Sequence, residues 1–164
     1  MGELITRWVK IGLGFVGLWI GIAVYNSIGM AKVAGREMEP TYKQDAFKFC
    51  SPKKFQPVDL EREDVVFYQY IIPGKTTQEV FAGRVIALPG QRVRIEGGDV
   101  YVDDKKANST FVDAAAKSTE TREEIVVPRG CVYIMGDNRR FCADFDSRGV
   151  GPVAAWAILG KMWH

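Results

Sequence analysis

The chain has 164 residues, of which 47% are hydrophobic and 26% charged, a composition typical of one folded domain and not of a disordered protein. Its formal net charge of +2 is spread along the sequence without a long basic stripe, so nucleic acid is not an expected partner. The three cysteines, Cys50, Cys131 and Cys142, lack metal-ligand spacing, and the single histidine is His164. We therefore expect no metal site and no cofactor, and we interpret the cysteines as small buried residues.

An uncharged run near the N-terminus predicts a membrane anchor. Residues 11–31 contain no charged side chain, and as a helix they would be about 31 Å long, enough to span a bilayer. Basic residues flank both ends of the run, so charge does not decide its orientation. Its repeated glycines favour a neighbouring helix packed closely against it, with a lone anchor as an equal alternative. We predict an anchor over residues 1–34 and a folded domain over residues 35–164.

The sequence after the anchor alternates between apolar and polar residues, which predicts a mainly β domain. The best-defined element is a hairpin, in which Gly97-Gly98 supplies the positive φ angles of a two-residue turn between two alternating runs. Pro89-Gly90 is expected to close the strand before it, and residues 114–117 to form a short helical turn or a loose insert. Further strands are predicted at Asp64 to Tyr70, Val80 to Leu88 and Ile125 to Met135.

Three motifs follow the predicted anchor in order: Met38-Glu39-Pro40-Thr41, the stretch from Gly83-Arg84 to Pro89-Gly90, and Gly136-Asp137-Asn138 followed by Asp146-Ser147-Arg148. Together with the single predicted anchor, they resemble the type I signal peptidases, peptidase family S26. The small size and the closing Gly151-Pro152-Val153 look most similar to the mitochondrial inner membrane peptidase branch. The resemblance implies a signal-peptidase-like β domain lying against the membrane, from an enzyme class that cleaves targeting segments.

The resemblance also implies that both catalytic groups are missing. Family members use a serine activated by a neutral lysine. The serine directly precedes the methionine of the first motif, where this chain has Glu37, and the lysine directly precedes the arginine of the second, where it has Gly83. Arg84 does not replace the lysine, because a guanidinium stays protonated at physiological pH. We therefore assign no catalytic residue.

The third motif departs from the family as well. Cys142 stands at the place of a supporting serine, and Phe145-Asp146 is inserted before Ser147-Arg148. Either Asp144 or Asp146 is then the structural acid. The expected framework is completed by Met38, Pro40, Arg84, Pro89, Gly90, Gly136, Asp137 and Asn138.

Two rebuilt sites are the alternatives to an inactive one. In an extended segment Glu37 and Glu39 share a face, so their carboxylates could work as an acid/base pair. Cys142 could act as a nucleophile if a base were near. The structural interpretation of the same residues is that Glu37 is solvated at the membrane surface and that Cys142 is packed in a loop.

These patterns predict a catalytically inactive, single-pass membrane protein that serves as a structural or accessory subunit of a membrane complex. The alternatives are an active processing peptidase that uses non-family residues and a non-cleaving binder of targeting segments. The expected partners are the membrane and other membrane-protein subunits, with no small-molecule substrate. The predicted location is the mitochondrial inner membrane with the β domain in the intermembrane space, or alternatively a bacterial plasma membrane with that domain outside.

Overall fold

A computed structural model describes residues 15–19, 28–51, 55–71 and 78–163 of the chain. Residues 15–19 are helical. The strands are β1 (Gly29–Lys32), β2 (Phe47–Ser51), β3 (Val65–Ile71), β4 (Gln78–Ala87), β5 (Arg92–Glu96), β6 (Asp99–Val102), β7 (Lys105–Lys106), β8 (Arg122–Val126), β9 (Cys131–Met135), β10 (Val153–Ala154) and β11 (Ile158–Met162). The short helices are α1 (Ser147–Val150) and three 3-10 turns at Pro57–Asp59, Ala114–Ala116 and Ala155–Ala157. The prediction of a mainly β domain is confirmed.

The larger sheet is antiparallel and has the strand order β1-β2-β11-β3-β4-β9-β10. Successive side chains of a strand point to opposite faces of the sheet, and in β3 the side chains on both faces are buried. Val66 and Tyr68 enter a cluster with Val85 and Ile134, whereas Phe67 packs on the other face with residues such as Ala82 and Met162. The continuous apolar run in β3 is thus the sequence of a central strand.

The smaller sheet has the order β7-β6-β5-β8 and contains the predicted hairpin. Glu96 pairs with Asp99 at its tip, and Gly97 and Gly98 have φ angles of 55° and 86°. The inward side chains of β5 and β6 join those of β4 and β9 in one buried cluster. This cluster packs the small sheet against the large one. The hairpin prediction is confirmed in both its turn and its register.

The predicted strand from Ile125 to Met135 is wrong, because it is two strands in different sheets. Between β8 and β9 lies a turn in which the N–H of Cys131 donates to the carbonyl of Pro128 at 3.1 Å, and Gly130 adopts a φ of 81°. Pro128 has no N–H to give to a ladder and so ends the first strand. Pro89-Gly90 does close β4 as predicted, with Gly90 at a φ of 84°.

The predicted anchor lies mostly outside the described residues. Residues 1–14 and 20–27 are among those not described, and 15–19 form a helical segment. The predicted helix is wrong at its C-terminal end, because residues 29–31 belong to β1 and pair with β2 in the large sheet. The sheet therefore begins before the predicted boundary at residue 34. In the described ranges no helix has the length and apolar character needed to cross a membrane.

Candidate functional site

The first motif folds as a turn that follows β1. The N–H of Glu39 donates to the carbonyl of Arg36 at 3.2 Å, and that of Tyr42 donates to the carbonyl of Met38 at 2.8 Å. The extended segment assumed for a carboxylate pair is therefore absent here. Glu39 instead forms a surface ion pair with Arg36 at 2.9 Å, whereas Glu37 is buried.

Glu37 points into the protein and not into solvent, so its predicted solvation is wrong. Its side chain is 3% exposed, and its Oε1 accepts a hydrogen bond from the backbone N–H of Ala82 in β4 at 3.3 Å. Burial raises the pKa of the Glu37 carboxyl, while backbone N–H donors, including those of Ala82 and Gly35, partly counteract the rise. The carboxyl group is tolerated inside because the backbone supplies it with donors.

Gly83 follows Ala82 in β4 and pairs with Val66 of β3. A Cβ atom added at Gly83 would lie 2.5 Å from Cγ2 of Ile134 and 3.2 Å from Cε1 of Tyr68. The hydroxyl of Tyr68 donates to the carbonyl of Phe145 at 3.0 Å, and burial raises its pKa well above the usual range. The first atom of a side chain at position 83 is therefore obstructed by core residues.

Cys142 lies beside Glu37 in the loop that follows β9. Its thiol donates to the carbonyl of Asn138 at 2.8 Å, and the N–H of Asn138 donates to the carbonyl of Glu37 at 3.0 Å. The pKa of the Cys142 thiol is strongly raised, mainly by burial and second by the negative charge of Asp146. The buried packing predicted for Cys142 is observed, and this environment disfavours a thiolate.

Asp146, and not Asp144, is the structural acid of the third motif. Asp146 is 1% exposed, caps helix α1 by accepting from the N–H of Arg148, and forms an ion pair with the Arg148 guanidinium at 2.7 Å. It also accepts from the N–H of Gly136 at 3.1 Å. The hydroxyl of Ser147 accepts from the N–H of Ile134 at 2.8 Å, which joins the loop to β9. Asp144 is exposed.

A buried ion pair connects the second and third motifs. Nε and one terminal nitrogen of Arg84 donate to the two carboxylate oxygens of Asp137 at 2.8 and 2.6 Å. Asp137 is fully buried and also accepts from the hydroxyl of Thr41 at 2.5 Å, so all three motifs meet at this carboxylate. The sequence marked Arg84 and Asp137 as framework residues, but it gave no signal that they form a pair.

A groove of about 830 Å³ lies beside the first motif. Its lining includes Arg36, Glu39, Asn138 and Phe141, but neither Glu37 nor Gly83. Glu37 does not contribute to this groove, because its side chain turns toward β4. The structure does bring Glu37, β4 at Ala82-Gly83 and the loop after Gly136 together, as the contacts above describe.

Comparison with known proteins identifies the family. The sequence model of the family described as signal peptidase, peptidase S26, matches residues 5–163 of this chain. Signal peptidase I of Bacillus caldolyticus is 28% identical over 142 residues, covering 79% of this chain and 74% of that protein. Signal peptidase I V of Bacillus subtilis is 27% identical over 160 residues, covering 90% of this chain and 91% of its own length. The chain belongs to the signal peptidase family, peptidase S26.

Two further similarities cover less of the chain. Thylakoidal processing peptidase 1 of Arabidopsis thaliana is 30% identical over 96 residues, which is 58% of this chain and 27% of that protein. The crystal structure of a signal peptidase I from Enterococcus faecalis has a TM-score of 0.49 and 22% identity, covering 63% of this chain and 97% of that one. The relatives named here are bacterial or chloroplastic, and the resemblance to the mitochondrial branch stays a prediction.

Proposed function

We propose that this chain is a catalytically inactive member of the signal peptidase family. The supporting observation is the pair of positions where the family resemblance places the nucleophile and the base. Position 37 has no hydroxyl and holds a buried carboxyl group, and position 83 has no side chain and no room for one beside Ile134. Neither half of a serine–lysine pair is therefore available.

A still-active peptidase that uses other residues is the less favoured function. The Cys142 thiol has a raised pKa and is 2% exposed, so it lacks both the lowered pKa and the solvent access of a reactive cysteine. Glu37 and Glu39 point into different surroundings, and Glu39 is engaged by Arg36. A shared proton between the two carboxyl groups requires a contact of about 3 Å, which this arrangement does not favour.

The retained framework supports a role as a structural or accessory subunit of a membrane complex. Asp137 holds the three motifs together through Arg84 and Thr41, and the Arg148–Asp146 pair braces the third motif, although the reactive groups are missing. A non-cleaving binder of targeting segments is the second candidate. It is less favoured because the Ala82 N–H, a donor that an added peptide strand could use, is already taken by Glu37.

Membrane attachment through the N-terminal segment is part of the proposal, together with other membrane-protein subunits as partners. The Bacillus relatives favour the bacterial plasma membrane, with the β domain outside, over the mitochondrial inner membrane.

Purification of the tagged full chain in a mild detergent tests the accessory role. We expect it to co-migrate with another membrane protein in a fixed ratio through two successive columns, and a chain that runs alone would contradict that role. In parallel, a serine-directed acylating probe should leave the chain unlabelled while labelling a Bacillus signal peptidase I. Labelling of this chain would contradict the proposed inactivity.

A further inference from the structure

Among the described residues three arginines are buried, and only two of them form an ion pair with a carboxylate. Arg84, Arg139 and Arg148 are each at most 6% exposed. Asp137 pairs with Arg84, and Asp146 pairs with Arg148. Arg139 has no ion pair among the described residues. Since a guanidinium stays protonated at physiological pH, one positive charge inside the domain lacks a direct partner.

The contacts of Arg139 leave hydrogen-bond capacity unused. The residue is 4% exposed, and one terminal nitrogen lies 3.6 Å from the sulfur of Met135, a weak acceptor. Its Nε has no hydrogen-bond partner in the described part of the chain. Burial, and second the nearby charge of Arg148, lower the pKa of the Arg139 guanidinium. An unpaired buried charge of this kind normally acquires a counter-ion or a polar ligand.

A small cavity adjoins Arg139 at the edge of the smaller sheet. Its volume is about 20 Å³, above the roughly 10–15 Å³ that a water-sized occupant requires. Its lining is rich in donors and cations, with Arg139, Lys106, Lys117, Asn108 and Ser109. The acidic residue in the lining is Asp99, which is already paired with Lys106 at 2.6 Å. The charge around the cavity is therefore positive.

We propose that this cavity binds a small inorganic anion of chloride size against Arg139. Its size suits a monatomic ion and does not suit a phosphate ester or a carboxylate ligand. Such an anion would accept from the unused Nε and give the Arg139 guanidinium the direct ion-pair partner that it lacks among the described residues. The site is independent of position 37 and position 83, so it holds whether or not the chain cleaves peptides.

Thermal unfolding of the full chain in detergent tests the proposal. Sodium chloride replaces sodium gluconate stepwise at constant ionic strength. Electrostatic screening then stays fixed, and only the concentration of the anion that fits the cavity changes. We expect the unfolding midpoint to rise with the logarithm of the chloride concentration above the dissociation constant, by about 8 °C at concentrations near 100 times that constant. The Arg139→Met variant should lose this rise, and Arg140→Met, which removes a neighbouring exposed arginine, should keep it.

Equal midpoints in chloride and gluconate would overturn the proposal, because water in the cavity would give no anion specificity. A chloride-dependent rise retained by Arg139→Met would also overturn it. If Arg139→Met does not fold, Lys117→Met replaces it, and its chloride affinity should fall several-fold. Crystals soaked in bromide give a direct readout: an anomalous peak within about 4 Å of the Arg139 guanidinium supports the site, and no peak there overturns it.

Discussion

The carboxylate of Glu37 and the backbone N–H of Ala82 are joined by a buried hydrogen bond of 3.3 Å. This contact links position 37, where the resemblance places the family's serine, to the strand that carries position 83, where it places the lysine. A carboxyl group and a glycine thus occupy the two positions at which the family resemblance expects a hydroxyl and an amine. The predictions below follow from this contact and from the ion pairs around it.

The protonated form of Glu37 should stabilise the fold. Burial raises its pKa above the ordinary value of about 4.3, so the folded chain holds this proton more tightly than the unfolded chain. The stabilisation is complete below about pH 4.3 and is lost as the pH rises through the higher folded pKa. Glu37→Gln keeps an acceptor oxygen and removes this dependence. We expect the free energy of unfolding of Glu37→Gln minus that of wild type, measured with urea from pH 4 to 8, to increase with pH. A difference that stays constant or falls would refute the prediction.

The Arg84–Asp137 pair should be strongly coupled. Asp137→Ala leaves Arg84 buried without its partner and should lower the free energy of unfolding by about 3–5 kcal/mol. The double variant Arg84→Met with Asp137→Leu should recover part of this loss, because it removes both charges. The exposed pair Lys106–Asp99 is the matched control, and Asp99→Ala should have a much smaller effect. Urea unfolding of the double variant and of Arg84→Met and Asp137→Leu alone measures the coupling, and single losses that simply add in the double variant would contradict it.

Any side chain at position 83 should be costly while Ile134 is present. Gly83→Ala puts its Cβ 2.5 Å from Cγ2 of Ile134 and should destabilise the domain by about 1–3 kcal/mol. In an Ile134→Ala background the same change should cost less, since the obstructing methyl group is gone. Urea unfolding of the two single variants and the double variant tests this, and equal costs in both backgrounds would refute it.

The same obstruction bears on attempts to restore activity. Glu37→Ser with Gly83→Lys supplies a hydroxyl and an amine, but the lysine would enter against Ile134 and Tyr68. We expect this double variant to be destabilised and inactive, and the addition of Ile134→Ala to be required before any precursor cleavage is detected. Cleavage by the double variant without that third change, followed on a gel, would show that the core opens more easily than its packing indicates.

Thiol labelling should distinguish the three cysteines. Cys142 and Cys50 are 2% and 6% exposed and both have raised pKa values caused by burial, whereas Cys131 is partly exposed. A maleimide or iodoacetamide reagent should therefore label Cys131 first in the folded chain, and all three at similar rates in urea. Peptide mapping of the labelled protein gives the order. Fast labelling of Cys142 in the folded state would indicate a reactive thiol and would revive the active-site alternative.

Local patterns predicted the fold well where they determine the structure by themselves. The Gly97-Gly98 turn and its alternating flanks set the β5–β6 register, because positive φ angles and a two-residue loop leave little choice. The strand interrupted at Pro128 was missed, since the apolar pattern continues through it while the two parts join different sheets. The strand character of residues 29–31 was hidden by the uncharged run that precedes them.

The sequence predicted which residues make up the candidate site, but not their burial or their hydrogen-bond and ion-pair partners. The motifs identified Glu37, Gly83 and Cys142, yet nothing local to Glu37 shows that Ala82, 45 residues away, donates to its carboxyl group. The pairing of Asp146 with Arg148 and the isolation of Arg139 depend on how the loop after β9 folds back onto the sheet. Burial and partner choice at these positions are set by tertiary packing, which a single sequence does not display.

A precursor-cleavage assay tests the proposed inactivity most directly. The full chain, purified in a mild detergent, is incubated with a precursor that carries a signal peptide, beside a Bacillus signal peptidase I as the active control. Because position 37 has no hydroxyl and position 83 has no amine, we expect no cleavage above buffer at any pH from 5 to 9. Specific cleavage by the wild-type chain that disappears in Glu37→Gln or Cys142→Ala would contradict the proposal.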